Sequence, residues 1–141
     1  IPTNKEGLKA IKKLKSEQTN ITATAIYSPT QAFLASLAGA DYVAPYVNRI
    51  DNLGYDGVET TIKIQNILEK NQTDTKVLAA SFKNTNQVLK LAEYGISIAT
   101  CSYEVFGKFI EDNNVNKAVE DFVNDFKAID KDRRTWTDYL G

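Results

Sequence analysis

The stretch Tyr42-Val43-Ala44-Pro45-Tyr46-Val47-Asn48-Arg49-Ile50-Asp51 is a short apolar strand that runs straight into polar and charged side chains. Parallel α/β enzymes present their chemistry in this way, at the C-terminal ends of apolar strands. Leu78-Ala79-Ala80-Ser81-Phe82-Lys83 repeats the arrangement, with small apolar residues followed by polar groups at the exit.

A regular alternation extends outward from these two segments. From Glu6 to about Ser16, Leu8, Ile11 and Leu14 recur at helical spacing, and Lys9, Lys12, Lys13 and Lys15 form the solvated remainder of that helix. The β-branched run from Ile21 to Tyr27 reads as a strand that ends at Ser28-Pro29-Thr30-Gln31. Those four residues predict a helix start: Ser28 caps, Gln31 reaches back to the cap's own N–H, and Pro29 sits in the first turn, where its missing donor costs nothing. Gly39 ends that helix.

The unit then recurs. A strand from Tyr42 to Val47 leads through a loop to Gly57, and a helix to about Asn71 follows, with Asp56 and Glu59 spaced as a capping box. A strand from Lys76 to Ser81 precedes a helix from about Thr85 to Tyr94, with Asn84 and Gln87 as a third box and Gly95 as the stop. A strand from Ile96 to Thr100, a helix from about Tyr103 to Glu111 and a helix from about Asn116 to Ile129 complete the series. The last of these carries Val119, Phe122, Val123 and Phe126 on one face.

Composition narrows the function. The chain has 141 residues, enough for one domain with a real core. With 17 basic against 18 acidic residues, no clustered basic field points to nucleic acid. The apolar runs break well short of the roughly 20 residues needed to cross a bilayer, and no signal-peptide pattern opens the chain, so a cytoplasmic location without membrane contact is expected. One cysteine, Cys101, and no histidine leave the common transition-metal ligand sets unfilled and rule out Ser-His and Cys-His mechanisms. No cofactor is expected. Carboxylates, Tyr, Lys and water remain as acid-base candidates.

Alternating strands and helices imply parallel strands, either in an open doubly wound sheet or in a closed (β/α)8 barrel. A complete barrel takes about 250 residues, so length by itself favours the open sheet. Thr24, Tyr46, Asn48, Arg49, Ser81, Lys83, Thr100 and Ser102 all fall at or just after strand ends. Both architectures place a site there.

In order, Ile1-Pro2-Thr3, Glu6-Gly7-Leu8-Lys9-Ala10-Ile11, Thr24-Ala25-Ile26-Tyr27, Gln31, Ala38-Gly39-Ala40, the Tyr42 to Asp51 segment and the Leu78 to Lys83 segment together resemble the small transaldolases and fructose-6-phosphate aldolases. The resemblance covers essentially the whole chain. It implies a (β/α)8 TIM barrel of which residues 1–141 are the C-terminal half, strands five to eight with their helices. In that family the Schiff-base lysine immediately precedes an Ile-Pro or Val-Pro pair, which places it just before Ile1 and leaves this piece inactive by itself. Lys83 is the best remaining amine, but the resemblance assigns it to the Ser-Phe-Lys motif.

The resemblance makes Tyr46 the acid-base group, acting through a water that Thr24 helps to hold. Without the family, a tyrosine there simply fills the barrel mouth. Arg49 and Ser81 match the residues that hold the sugar phosphate, a guanidinium and a hydroxyl beside a helix start. Taken alone, Arg49 would equally form a surface ion pair with Asp51 or Asp56.

The implied activity is a class I aldolase acting on fructose 6-phosphate, giving dihydroxyacetone and glyceraldehyde 3-phosphate. Transaldolase activity and a non-catalytic phosphate-binding half-barrel are the alternatives. Tyr46 favours the aldolase, since transaldolases more often carry phenylalanine in that segment. Cys101 reads as a buried small residue. The helix from Asn116, with Phe122 and Phe126, and the tail over residues 130–141 with Trp136 and Tyr139 resemble the region that packs between subunits, with packing on the chain's own barrel as the equal alternative; a homo-oligomer is expected.

Overall fold

The computed structural model describes residues 1–129 and Thr137; Trp136 and Tyr139 lie outside the described residues. The chain divides into two compact units, Ile1–Phe106 and Gly107–Gly141.

In the first unit the elements run α1 (Lys5–Ser16), β1 (Thr22–Ile26), α2 (Pro29–Leu37), β2 (Tyr42–Pro45), α3 (Val47–Asp51), α4 (Gly57–Lys70), β3 (Lys76–Val77), β4 (Ala79–Ala80), α5 (Thr85–Tyr94), β5 (Ala99–Thr100) and α6 (Tyr103–Gly107), whose last residue falls in the second unit. All paired strands are parallel. β1, β2 and β3 form one sheet and β4 and β5 another. The two are continuous through Leu78, whose N–H donates to the Val43 carbonyl at 2.9 Å, while the next N–H, of Ala79, donates to Ile98 at 2.9 Å. The single strand expected from Lys76 to Ser81 is therefore shared between two neighbours. The order is β1, β2, β3/β4, β5, each beside its predecessor, and the described strands close no barrel.

A further extended segment lies beside β1. Pro2 bridges Thr24 in parallel, the Thr24 N–H donates to the Ile1 carbonyl at 2.8 Å, and the Ile1 amine donates to the Thr22 carbonyl at 2.8 Å.

The core lies between the sheet and the helices. Ile11, Ile26 and Ile64 are fully buried, and each contributes about 1.5–3 kcal/mol relative to an exposed side chain. Val43, Leu68, Val77, Ala79 and Leu91 extend the same cluster. Thr61 is buried inside α4 because its hydroxyl donates to the Gly57 carbonyl one turn back, at 2.7 Å.

Helix starts follow the sequence signals, with one systematic change. The Asn4, Ser28, Asp56 and Asn84 side chains each accept an N–H from the first turn. Gln31, however, accepts the N–H of Tyr27 at 2.8 Å, one residue before the cap, and Gln87 likewise accepts that of Lys83. The strand pairing has ended at Ile26 and Ala80, so the N–H groups that follow need new partners. Glu59 does not complete a box and instead pairs with Lys63 along the helix.

Other boundaries also differ from expectation. The loop expected after β2 contains the short helix α3, because Ile50 and Asn52 N–H groups find carbonyls one turn back, at Tyr46 and Asn48. β5 and α6 are shorter than the pattern predicts, and α7 begins at Asn113 rather than Asn116.

The second unit contains α7 (Asn113–Ile129), on which Val115, Val119, Phe122 and Val123 are exposed. Among the described residues, no helix is long and apolar enough to cross a membrane.

Candidate functional site

The exit of β1 is shaped by an irregularity. Ile21, Ala23 and Ile26 are buried while Thr22, Thr24 and Ala25 are half-buried, so the period-two alternation slips by one residue at Ala25. Ala25 has φ 55°, and the register with β2 shifts between Ala23 and Ile26. This bulge returns Ile26 to the core and leaves Thr24 on the opposite face, as an extra residue in a strand does.

Thr24 meets Tyr46 there. Its Oγ1–H donates to Tyr46 Oη at 3.0 Å. Tyr46 stands just past β2, with its N–H bound to the Ile26 carbonyl at 3.0 Å and its backbone bridged in parallel to Ala80. The backbone around the phenol is thus anchored to a strand on each side. The ring has two further neighbours: the Tyr27 ring at 5.8 Å, edge to face with an interplanar angle of 73°, and the Arg49 guanidinium, whose Cζ lies 4.6 Å from the ring centre.

Arg49 is exposed on α3 and among the described residues makes no ion pair. The two carboxylates that could compete for it are otherwise engaged. Asp51 accepts the Gly57 N–H and the Gln87 amide, each at 2.6 Å, and Asp56 caps α4 through the Glu59 N–H at 2.8 Å. The guanidinium therefore lies over the Tyr46 ring and, among the described residues, pairs with no carboxylate.

Ser81 follows β4 in the left-handed region, with φ 62°. That conformation costs a non-glycine residue about 1–3 kcal/mol. The Ser81 carbonyl accepts the Asn48 N–H at 2.8 Å, which ties the β4 exit to the first turn of α3.

The structure thus brings together Thr24, Tyr46 and Arg49 through direct contacts and links Ser81 to the same helix through Asn48. Lys83 is exposed and engages Gln87 only through its backbone N–H. Ser102 serves as a cap, its hydroxyl accepting the Val105 N–H at 3.3 Å. Cys101 is half-buried rather than buried. Tyr27, the left-handed Ala25 and the Asp51–Gln87 pair were not legible as site residues. The family motifs contain Ala25, Tyr27 and Asp51 without assigning them a role, and the capping spacing of Gln87 pointed to a helix start. Among the described residues, no group of three or more Cys, Asp or Glu side chains gathers as a metal site.

A parallel α/β sheet with hydroxyls and a guanidinium near its strand exits is an arrangement that α/β enzymes use. The family model described as Transaldolase/Fructose-6-phosphate aldolase matches residues 1–138. The chain belongs to that family, whose members are transaldolases and aldolases.

Among solved structures, a mandelate oxidase variant with 2-hydroxy-phenylacetamide matches with a TM-score of 0.50 and 17% identity, over 67% of this chain and 28% of that one. A second mandelate oxidase mutant, with (S)-mandelic acid, matches with a TM-score of 0.52 and 18% identity over the same shares. At that identity the likeness is one of fold. This chain spans 28% of the length of either structure.

Proposed function

We propose that the protein to which these residues belong is a class I, metal-independent aldolase acting on fructose 6-phosphate, and that this chain forms strands five to eight of its (β/α)8 barrel. The observation that carries the reading is the hydrogen-bonded pair Thr24–Tyr46, standing beside the Ile1–Pro2 segment in a chain matched by the family over residues 1–138. Strand order supports the barrel. Each strand lies next to its predecessor, whereas an open doubly wound sheet reverses its order at a switch point.

The extended Ile1–Pro2 segment is then the end of the fourth strand. Pro2 pairs with Thr24, so a residue immediately before Ile1 would share the face of Pro2, Thr22 and Thr24. A lysine at that position would direct its amine toward the Thr24 and Tyr46 hydroxyls.

The chemistry follows from those groups. The neutral amine adds to the ketone and water leaves, giving an iminium. When the C3–C4 bond breaks, its electron pair flows into the iminium and forms an enamine, while the C4 hydroxyl loses its proton and departs as the aldehyde of glyceraldehyde 3-phosphate. Reprotonation at C3 and addition of water return the lysine and release dihydroxyacetone. Tyr46 is the proton carrier: Thr24 donates to its oxygen, which leaves the phenol O–H free to serve the reacting hydroxyl or a water between them. Arg49 and Ser81 hold the phosphate through charge-assisted and hydroxyl hydrogen bonds.

Borohydride trapping tests the reading. The full-length protein reduced in the presence of fructose 6-phosphate should carry a stable adduct on a lysine immediately before Ile1, and the 141-residue chain alone should carry none. An adduct at any other lysine overturns the assignment. Release of dihydroxyacetone without an added acceptor aldehyde is expected for the aldolase; strict dependence on an acceptor would make the protein a transaldolase.

A further inference from the structure

We infer that Asp51 and Gln87 are positioning residues that set the spacing between Arg49 and Ser81, an inference that rests on the phosphate role proposed above for those two. α3 is only five residues long, too short to be stable on its own hydrogen bonds. Val47 and Ile50 bury one side of it, and ties at its two ends fix its placement.

At the first turn, the Asn48 N–H donates to the Ser81 carbonyl at 2.8 Å. At the last turn, one Asp51 oxygen accepts the Gly57 N–H at 2.6 Å, and the other accepts Gln87 Nε2–H at 2.6 Å. The Gln87 oxygen accepts the Lys83 N–H at 2.8 Å. Arg49 therefore sits between two struts, both anchored in the segment from Ser81 to Gln87. Ser81, at the start of that segment, has the costly left-handed conformation.

Gln87 is 8% exposed, and every polar atom of its side chain on this path is used. A carboxylate only accepts, so the Gln87 amide must turn its nitrogen to Asp51 and its oxygen to Lys83. The network has a defined direction, and it contacts neither the hydroxyls of Thr24 and Tyr46 nor the position proposed for the amine.

That direction permits a swap. Asp51→Asn alone sets an amide nitrogen or a weaker acceptor against Gln87, and Gln87→Glu alone sets two carboxylates against each other at hydrogen-bond distance. Made together, the new amide at 51 accepts from Gly57 and donates to the new carboxylate at 87, whose second oxygen still accepts from Lys83.

The test follows aldol synthesis by the full-length protein with dihydroxyacetone as donor, comparing glyceraldehyde 3-phosphate with unphosphorylated glyceraldehyde as acceptor. Each single variant should raise KM for the phosphorylated acceptor about tenfold, the loss of one good polar contact, with the effect on KM rather than kcat. KM for glyceraldehyde should be unchanged, and the double variant should return to within about threefold of the parent.

Arg49→Ala serves as the control for the underlying reading. If it raises KM for the phosphorylated acceptor while the single variants do not, or while the double variant fails to recover, the positioning role is overturned and the phosphate role stands. If Arg49→Ala leaves that KM unchanged, the phosphate role itself fails and the inference falls with it. Should either single variant not fold, the double variant decides: a KM near the parent's supports the inference, and a tenfold rise overturns it.

Discussion

At the N-terminal ends of the strands, Asp41 accepts from Lys15 and from the Ile21 N–H at 2.8 Å, and the Thr75 hydroxyl donates to the Ala40 carbonyl at 2.7 Å. At the C-terminal ends, among the described residues, Arg49 makes no ion pair and the Thr24 and Tyr46 hydroxyls bond to each other. Both ends contain non-glycine residues with positive φ, but they serve different purposes. Gln18 and Gln72 stop α1 and α4, an ordinary helix ending, whereas Ala25 and Ser81 redirect strands where no helix ends. One end spends its polar groups on closing the fold. The other keeps polar groups available at some conformational cost, as sites of binding and chemistry do.

The strongest challenge to that contrast is Gly57→Ala. A Cβ at this position would lie 2.1 Å from the Val47 carbonyl oxygen, a backbone atom that cannot move without shifting α3. We expect a loss of about 3 kcal/mol or more in urea unfolding, since such overlap forces the backbone apart. A loss under about 1 kcal/mol would show that α3 tolerates displacement and that the C-terminal end is not tightly built.

Next in size is Tyr46→Phe in the full-length enzyme. It should lower kcat about 100-fold, the usual contribution of a positioned proton carrier, while the unfolding midpoint moves little. A loss of stability with kcat preserved would reverse the contrast and return Tyr46 to a packing role.

The smallest expected effect lies at the other end. The hydrogen bond from Lys15, and then that from the Ile21 N–H, hold the Asp41 carboxyl below its ordinary value of 3.8. A depressed carboxyl contributes stability that is fully present above the unfolded-state pKa and is lost as pH falls through the folded-state value. Asp41→Asn should therefore cost about 1 kcal/mol near neutral pH. The difference from the parent should shrink as the pH drops below 3.8. Catalysis at neutral pH should be unaffected, and a pH-independent difference would mean that the carboxylate's charge plays no part.

Local chemistry made much of this molecule legible. Ser28, Asp56 and Asn84 cap helices because a short acceptor before an apolar helical pattern satisfies N–H groups a few residues away. Gly95, with φ 104°, ends α5 for a similarly local reason. The candidate site was readable only in part. Thr24, Tyr46, Arg49 and Ser81 could be placed at strand exits, but Tyr27 could not, because its edge-to-face contact depends on how β1 and β2 come together. The partners of Asp51 were equally hidden, since Gln87 stands 36 positions away in the chain.

The residues by themselves determined the alternation of strand and helix, the helix caps and the family, because these depend on periodicity, short-range hydrogen bonding and motif order. Tertiary structure alone decided the bulge at Ala25, the division of the strand at Leu78, the folding of α3 and the network from Asp51 through Gln87 to Lys83. The division at Leu78 and the Asp51–Gln87–Lys83 network satisfy donors and acceptors that local structure leaves open, with partners chosen by which segments lie side by side.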